Sequence, residues 1–134
     1  MTTDVNTPNY EEITQVIQVF YQKIIHHPQL GHFFEHIDDF AEHEKRIADF
    51  WWVSMGGKLE SPPKIDMIGK HFSLGIQAAD LEVWLGLFSE TLAETLSDEK
   101  AKFWMDKVLT IAARMKQIVI DHQGLGVKIQ GSDK

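Results

Sequence analysis

The chain has no cysteine among its 134 residues. Disulfides, thiolate zinc sites, iron–sulfur clusters and cysteine nucleophiles are therefore excluded. Any metal must be held by His, carboxylate, Met or Tyr. A basic face is also missing. Thirteen Lys and Arg stand against 20 Asp and Glu, giving a net charge of −7 and a pI of about 5.4. That balance opposes nucleic acid or an anionic membrane as the main partner. No apolar run approaches the roughly 20 residues of a membrane span. The opening stretch MTTDVNTPNYEE is polar and acidic. It has neither the basic nor the apolar region of a secretory signal, so a cytoplasmic location is expected. Strand alternation, hairpin signals, internal repeats and low-complexity segments are absent. So are a phosphate-binding loop, a dinucleotide fingerprint and a Ser-His-Asp ordering.

What remains is helical periodicity. The length fits one domain over residues 1–134, with a core from about 9 to 123 and a loose tail from 125 to 134. Thr7-Pro8 reads as a cap and a prolyl first turn. Ile13, Val16, Ile17, Phe20 and Ile24 then form one stripe, which ends near His26-His27-Pro28. PQLGHFFEH is a short turn or helix. A second long helix is expected from about Asp38 to Met55, stopped by Gly56-Gly57. Ser61-Pro62-Pro63 starts a short helix through Ile65, Ile68 and His71. A third long helix holds Leu81, Trp84, Leu85, Phe88 and Leu92. Ser97 caps the last, which carries Trp104, Val108, Ile111, Met115 and Ile118. The pattern predicts an all-α domain.

Polar side chains on the apolar stripes are the candidates for chemistry. His43 lies on the inner face of the second helix with Phe40, Ile47, Phe50 and Trp51. Tyr21 follows Phe20 in the first helix, Trp84 sits on the stripe of the third, and His71 ends the short helix. Packed together, these faces would enclose an aromatic cavity holding a phenol, an indole N–H and two imidazoles, a form suited to a cofactor. A single iron-ligating His with hydrogen-bond donors opposite is what a haem site for a diatomic gas needs. Each residue alone also has a plain structural reading. His43 fits a core histidine bonded to a backbone carbonyl. His71 fits a histidine on a helix dipole. Trp84 fits ordinary core, and Tyr21 a half-buried Tyr with its hydroxyl at the surface. His32 and His36 have i,i+4 metal spacing, but nothing nearby completes a site. HEKRI is not a zincin motif, since Ile47 stands where the second His would be. Asp38, Asp39, Glu42, Glu44 and Asp49 alternate with Lys45 and Arg46 on what reads as a solvated face.

The strings VFYQKI, PQLGHFF, HEKRIADFWW, GKHFSLGI and WLGLFSETL, in this order, resemble the truncated haemoglobins, most closely group III (P). The likeness runs from about Ile13 to Met115. It implies a shortened globin, a two-over-two helical sandwich binding haem b (iron protoporphyrin IX). By position, His71 matches the proximal histidine on the iron. Tyr21, His43 and Trp84 match the distal residues facing the gas. Phe20, Phe34, Phe50 and Trp51 match aromatic positions around the haem. KLESPPKIDMIGK departs from the family's usual Tyr-x-Gly-x-Pro segment before the proximal His, with no Tyr and two adjacent prolines. His32 stands where the family often has Pro.

The resemblance implies a monomeric haem protein that binds O₂ and other diatomic ligands, NO or CO, and suits redox chemistry or ligand processing. Two alternatives stand beside it. One is an NO dioxygenase or peroxidase-like enzyme served by an external reductase. The other is a haem-free globin-like interaction module.

Overall fold

The computed structural model describes residues 6–62 and 75–120. The expected short helix bearing His71 and the expected tail lie outside the described residues. Helix α1 spans Tyr10–Ile24. Its cap is Asn9 rather than Thr7, and the helix starts two residues later than Thr7-Pro8 suggests. Asn9 Oδ1 accepts the Glu12 N–H at 2.8 Å, and Glu12 Oε1 accepts the Asn9 N–H at 2.9 Å. This reciprocal box satisfies two otherwise orphaned donors, which outcompetes a prolyl start. Pro8 is buried instead, ahead of the helix.

A short 3₁₀ turn, Gly31–Phe34, follows. A side chain at Gly31 would meet the Ile25 carbonyl oxygen at 2.7 Å, so the turn can lie against the end of α1 only with glycine there. Helix α2 runs Phe40–Ser54, with Asp39 accepting the Glu42 N–H at 3.1 Å. It stops at Met55 and Gly56, whose φ of +100° only glycine adopts readily. Helix α3 spans Ala78–Thr95, opened by Asp80 Oδ2 accepting the Gln77 N–H. Helix α4 spans Asp98–Met115 behind Ser97, then widens into a π turn, Lys116–Ile120. No strand occurs among the described residues.

Helix α1 packs against both α2 and α3, and α3 packs against α4. The α1 stripe of Ile13, Val16, Ile17, Phe20 and Ile24 meets Trp51 of α2, Phe88 and Leu92 of α3 and Trp104 and Val108 of α4 in one core. This is the expected all-α, two-over-two sandwich of a truncated globin. Thr91 is fully buried, and its hydroxyl is satisfied by the Leu87 carbonyl at 2.9 Å. Ion pairs close the perimeter. Lys100 holds Glu12 at 2.8 Å, tying the start of α1 to α4, and Lys23 holds Glu94 at 2.7 Å. Among the described residues no helix is long and apolar enough to cross a membrane.

Candidate functional site

Tyr21 leaves α1 beside Phe20 and is buried, 7% exposed. Because α1 crosses α2, its hydroxyl meets His43 Nε2 at 3.0 Å, a contact between residues 22 apart in sequence. Two of the expected site residues are thus in direct contact. Tyr21 does not carry its hydroxyl at the surface, and the half-buried His43 turns a ring nitrogen to a side chain. Which group donates depends on the imidazole tautomer. With Nε2 protonated, His43 donates to the Tyr21 oxygen and leaves the phenolic proton for a third group. With Nδ1 protonated, Tyr21 donates to His43. Burial, with the Glu44 carboxylate nearby, pushes the Tyr21 hydroxyl well above its ordinary range. The phenol therefore stays neutral and keeps its proton.

Aromatic rings surround the pair. Phe34 lies 5.6 Å and Phe40 6.2 Å from the Tyr21 ring, and Phe40 also sits 6.4 Å from the His43 ring. Trp84 of α3 packs edge-on to Phe20 at 5.3 Å and stacks on Phe88 at 5.0 Å, nearly parallel. Phe20 lies 5.9 Å from Tyr21, so it bridges Trp84 to the polar pair. Trp51 stacks on Phe88 at 6.5 Å and meets Trp104 at 5.7 Å, with Phe50 beside it at 5.2 Å. Tyr21, His43, Phe34, Trp84, Trp51 and Phe50 thus belong to one aromatic assembly. His71 lies outside the described residues.

Sequence reasoning missed two residues here. Phe40 belongs to the inner stripe by its spacing, but its contact with both members of the pair follows only from the α1–α2 crossing. Asp49 does not sit on a solvated face: it is 6% exposed. Its Oδ1 accepts the Tyr10 hydroxyl at 2.5 Å and its Oδ2 accepts Lys45 Nζ at 2.8 Å. Burial raises the Asp49 carboxyl, but the bonds from Lys45 and Tyr10 outweigh it, so the group is held below the usual carboxylate range. Position 49 is flanked by the inner residues Ala48 and Phe50, and that flank was the available signal. His32 and His36 are exposed, and no cluster of three metal-ligating side chains exists among the described residues.

The sequence matches the bacterial-like globin family over residues 9–117. The chain belongs to that family. The group 3 truncated haemoglobin ctb of Campylobacter jejuni is 25% identical over 124 residues, covering 88% of this chain and 96% of its own. The crystal structure of the group III truncated haemoglobin from Campylobacter jejuni superposes with a TM-score of 0.77. It is 24% identical and covers 90% of this chain and 98% of its own. The group II truncated haemoglobin from Bacillus anthracis gives a TM-score of 0.72 at 19% identity, covering 86% and 92%. These two likenesses establish the fold, and family membership supports a haem-binding globin.

The described side chains of this globin fit such a group. Phe34, Phe50 and Trp84 are only half-buried, although they adjoin fully buried core, and Phe40 beside Tyr21 is half-buried too. That leaves apolar ring surface beside the Tyr21–His43 pair, the combination of flat apolar wall and few polar groups that a porphyrin requires. Trp51 and Phe88 lie behind that wall and fix its position.

Proposed function

We propose that this globin binds haem b and uses it to hold O₂, with NO or CO as further ligands, in redox or ligand-processing work served by an external reductase. Haem supplies an iron that binds a diatomic gas, and the His71 imidazole is its proximal ligand in this reading. The observation that carries the proposal is the buried Tyr21–His43 hydrogen bond framed by half-buried aromatic rings. A purely structural pair would be closed over by core. Here it borders uncovered ring surface.

In this arrangement His43 donates Nε2–H to the Tyr21 oxygen, and Tyr21 turns its own proton toward the gas. Trp84 borders the pocket on the α3 side and offers an indole N–H. Phe34, Phe40, Phe50 and Trp51 exclude water, which strengthens every hydrogen bond made inside. Donors of this kind slow gas release. That property suits chemistry on the ligand better than its delivery.

The test is an absorption spectrum of the chain with and without added hemin, alongside a His71→Ala variant. A Soret band that shifts with CO, and is lost or altered in the variant, is the expected result. No hemin uptake would refute the reading and favour a haem-free interaction module.

A further inference from the structure

The Tyr10–Asp49–Lys45 cluster takes no part in the proposed gas site, yet it has the makeup of a redox centre. Tyr10 is half-buried at the start of α1. Its hydroxyl points at Asp49, an acceptor from α2 that is 39 residues away and 6% exposed. The separation, 2.5 Å, is at the short limit for an O–H···O⁻ bond. Its ring lies edge-on to Trp52 at 5.9 Å. Trp52 packs against the core to which Trp51 and Phe88 belong, and Trp84 stacks on Phe88. Tyr10 is therefore in ring contact with Trp52, and Trp52 packs on the core that backs the half-buried ring wall.

We propose that Tyr10 is a proton-coupled electron donor, with Trp52 as its electron outlet and Asp49 as its proton acceptor. The oxidant is hydrogen peroxide reduced at the haem, so the physiological role rests on the haem reading above. In each event the Tyr10 phenol loses one electron through Trp52 and its O–H bond breaks. The proton forms an O–H bond on Asp49 Oδ1. Reduction of one peroxide to two waters consumes two electrons and two protons. Two successive oxidations of Tyr10 supply the electrons. Asp49 releases its proton to solvent each time, and each radical is returned to the phenol by an electron from a one-electron donor and a proton from water, so the net supply is two donor electrons and two solvent protons.

The chain has only two tyrosines, and the comparison between them favours Tyr10. Oxidised phenols are much stronger acids than any carboxylic acid, so transfer to Asp49 is downhill. The same step at Tyr21 would pass the proton to His43 over the longer 3.0 Å contact. Lys45 stays on the solvent side of Asp49, holding the carboxylate in place while Tyr10 reacts.

Two arms test this. In the first, haem-loaded chain is mixed with peroxide, freeze-quenched and read by electron paramagnetic resonance. In the second, the chain without haem is oxidised by flash-generated tris(bipyridine)ruthenium(III), and the tyrosyl radical is followed by transient absorption in H₂O and D₂O. A tyrosyl signal is expected in both arms. It should persist in Tyr21→Phe in the flash arm, vanish in Tyr10→Phe, and form severalfold more slowly in Asp49→Asn and in D₂O. A signal that survives Tyr10→Phe, or one whose rate ignores Asp49→Asn, overturns the proposal. If Tyr10→Phe does not fold, the Tyr21→Phe and Asp49→Asn results still decide it. Failure of hemin to produce a Soret band defeats the haem reading alone, because the flash arm tests Tyr10 and Asp49 without haem.

Discussion

In the proposed gas site, the 3.0 Å contact between Tyr21 and His43 leads to a specific expectation for gas release. In the proposed relay the two side chains act in series: His43 holds and polarises the phenol, and the phenol holds the gas. Tyr21→Phe removes the donor itself. A hydrogen bond to a partly charged acceptor in a dry pocket contributes about 1.5–3 kcal/mol. At 1.4 kcal/mol per decade, O₂ should dissociate roughly 10- to 150-fold faster. His43→Leu leaves the hydroxyl in place, unpolarised and free to rotate. That change should cost about 0.5–1 kcal/mol, or roughly two- to fivefold. The double variant is the decisive one. Once the phenol is gone, His43 has nothing to polarise, so the double variant should match Tyr21→Phe within about twofold. The assay is stopped-flow displacement of O₂ by CO in all four proteins, each checked for an intact Soret band. Additive effects would refute the series arrangement. An unchanged rate in Tyr21→Phe would refute the donor role altogether.

Three other outcomes are expected. Gly57→Ala places a Cβ inside the Trp52 indole, so the ring must leave its edge contact with Tyr10; a loss of about 1–3 kcal/mol is expected by urea unfolding. Asp49 has its carboxyl lowered on folding, so it stabilises the protein above the unfolded pKa near 4 and that contribution fades as pH falls through the folded value. Asp49→Asn should accordingly be less stable than the parent by about 1–2 kcal/mol at pH 7, with the gap closing toward pH 3 in urea midpoints. Trp84→Phe removes an indole N–H while keeping a ring on Phe88 and Phe20, so O₂ release should quicken with little change in melting temperature, measured by stopped flow and by circular dichroism.

The helices were legible because their signals are local. Stripes on α1, α2, α3 and α4 follow from 3.6-residue spacing, and Ser97 and Gly56 mark their ends where expected. The start of α1 is less legible, although Asn9 and Glu12 stand in capping-box spacing. The local signals of Thr7-Pro8 competed with it, and only the paired hydrogen bonds decide between them. Tyr21 and His43 could each be placed on an inner face, but not against each other. Their pairing depends on how α1 crosses α2, which no local pattern encodes. Asp49 failed for a related reason. An acid among lysines and arginines reads as solvated, and what draws it inward is Tyr10, 39 residues away. Trp84 was expected near the polar pair, and its link through Phe20 likewise appears only once α3 is laid on α1.

The run of rings through Trp84, Phe88, Trp51 and Trp104 also makes this globin its own optical probe. Three of its four tryptophans sit in one contiguous group beside the half-buried ring wall. Their ultraviolet emission overlaps porphyrin absorption, so a haem in that position would drain their excited states and darken the protein. Occupancy of the pocket would then be read from fluorescence alone, without a label, at protein concentrations far below those a visible spectrum requires.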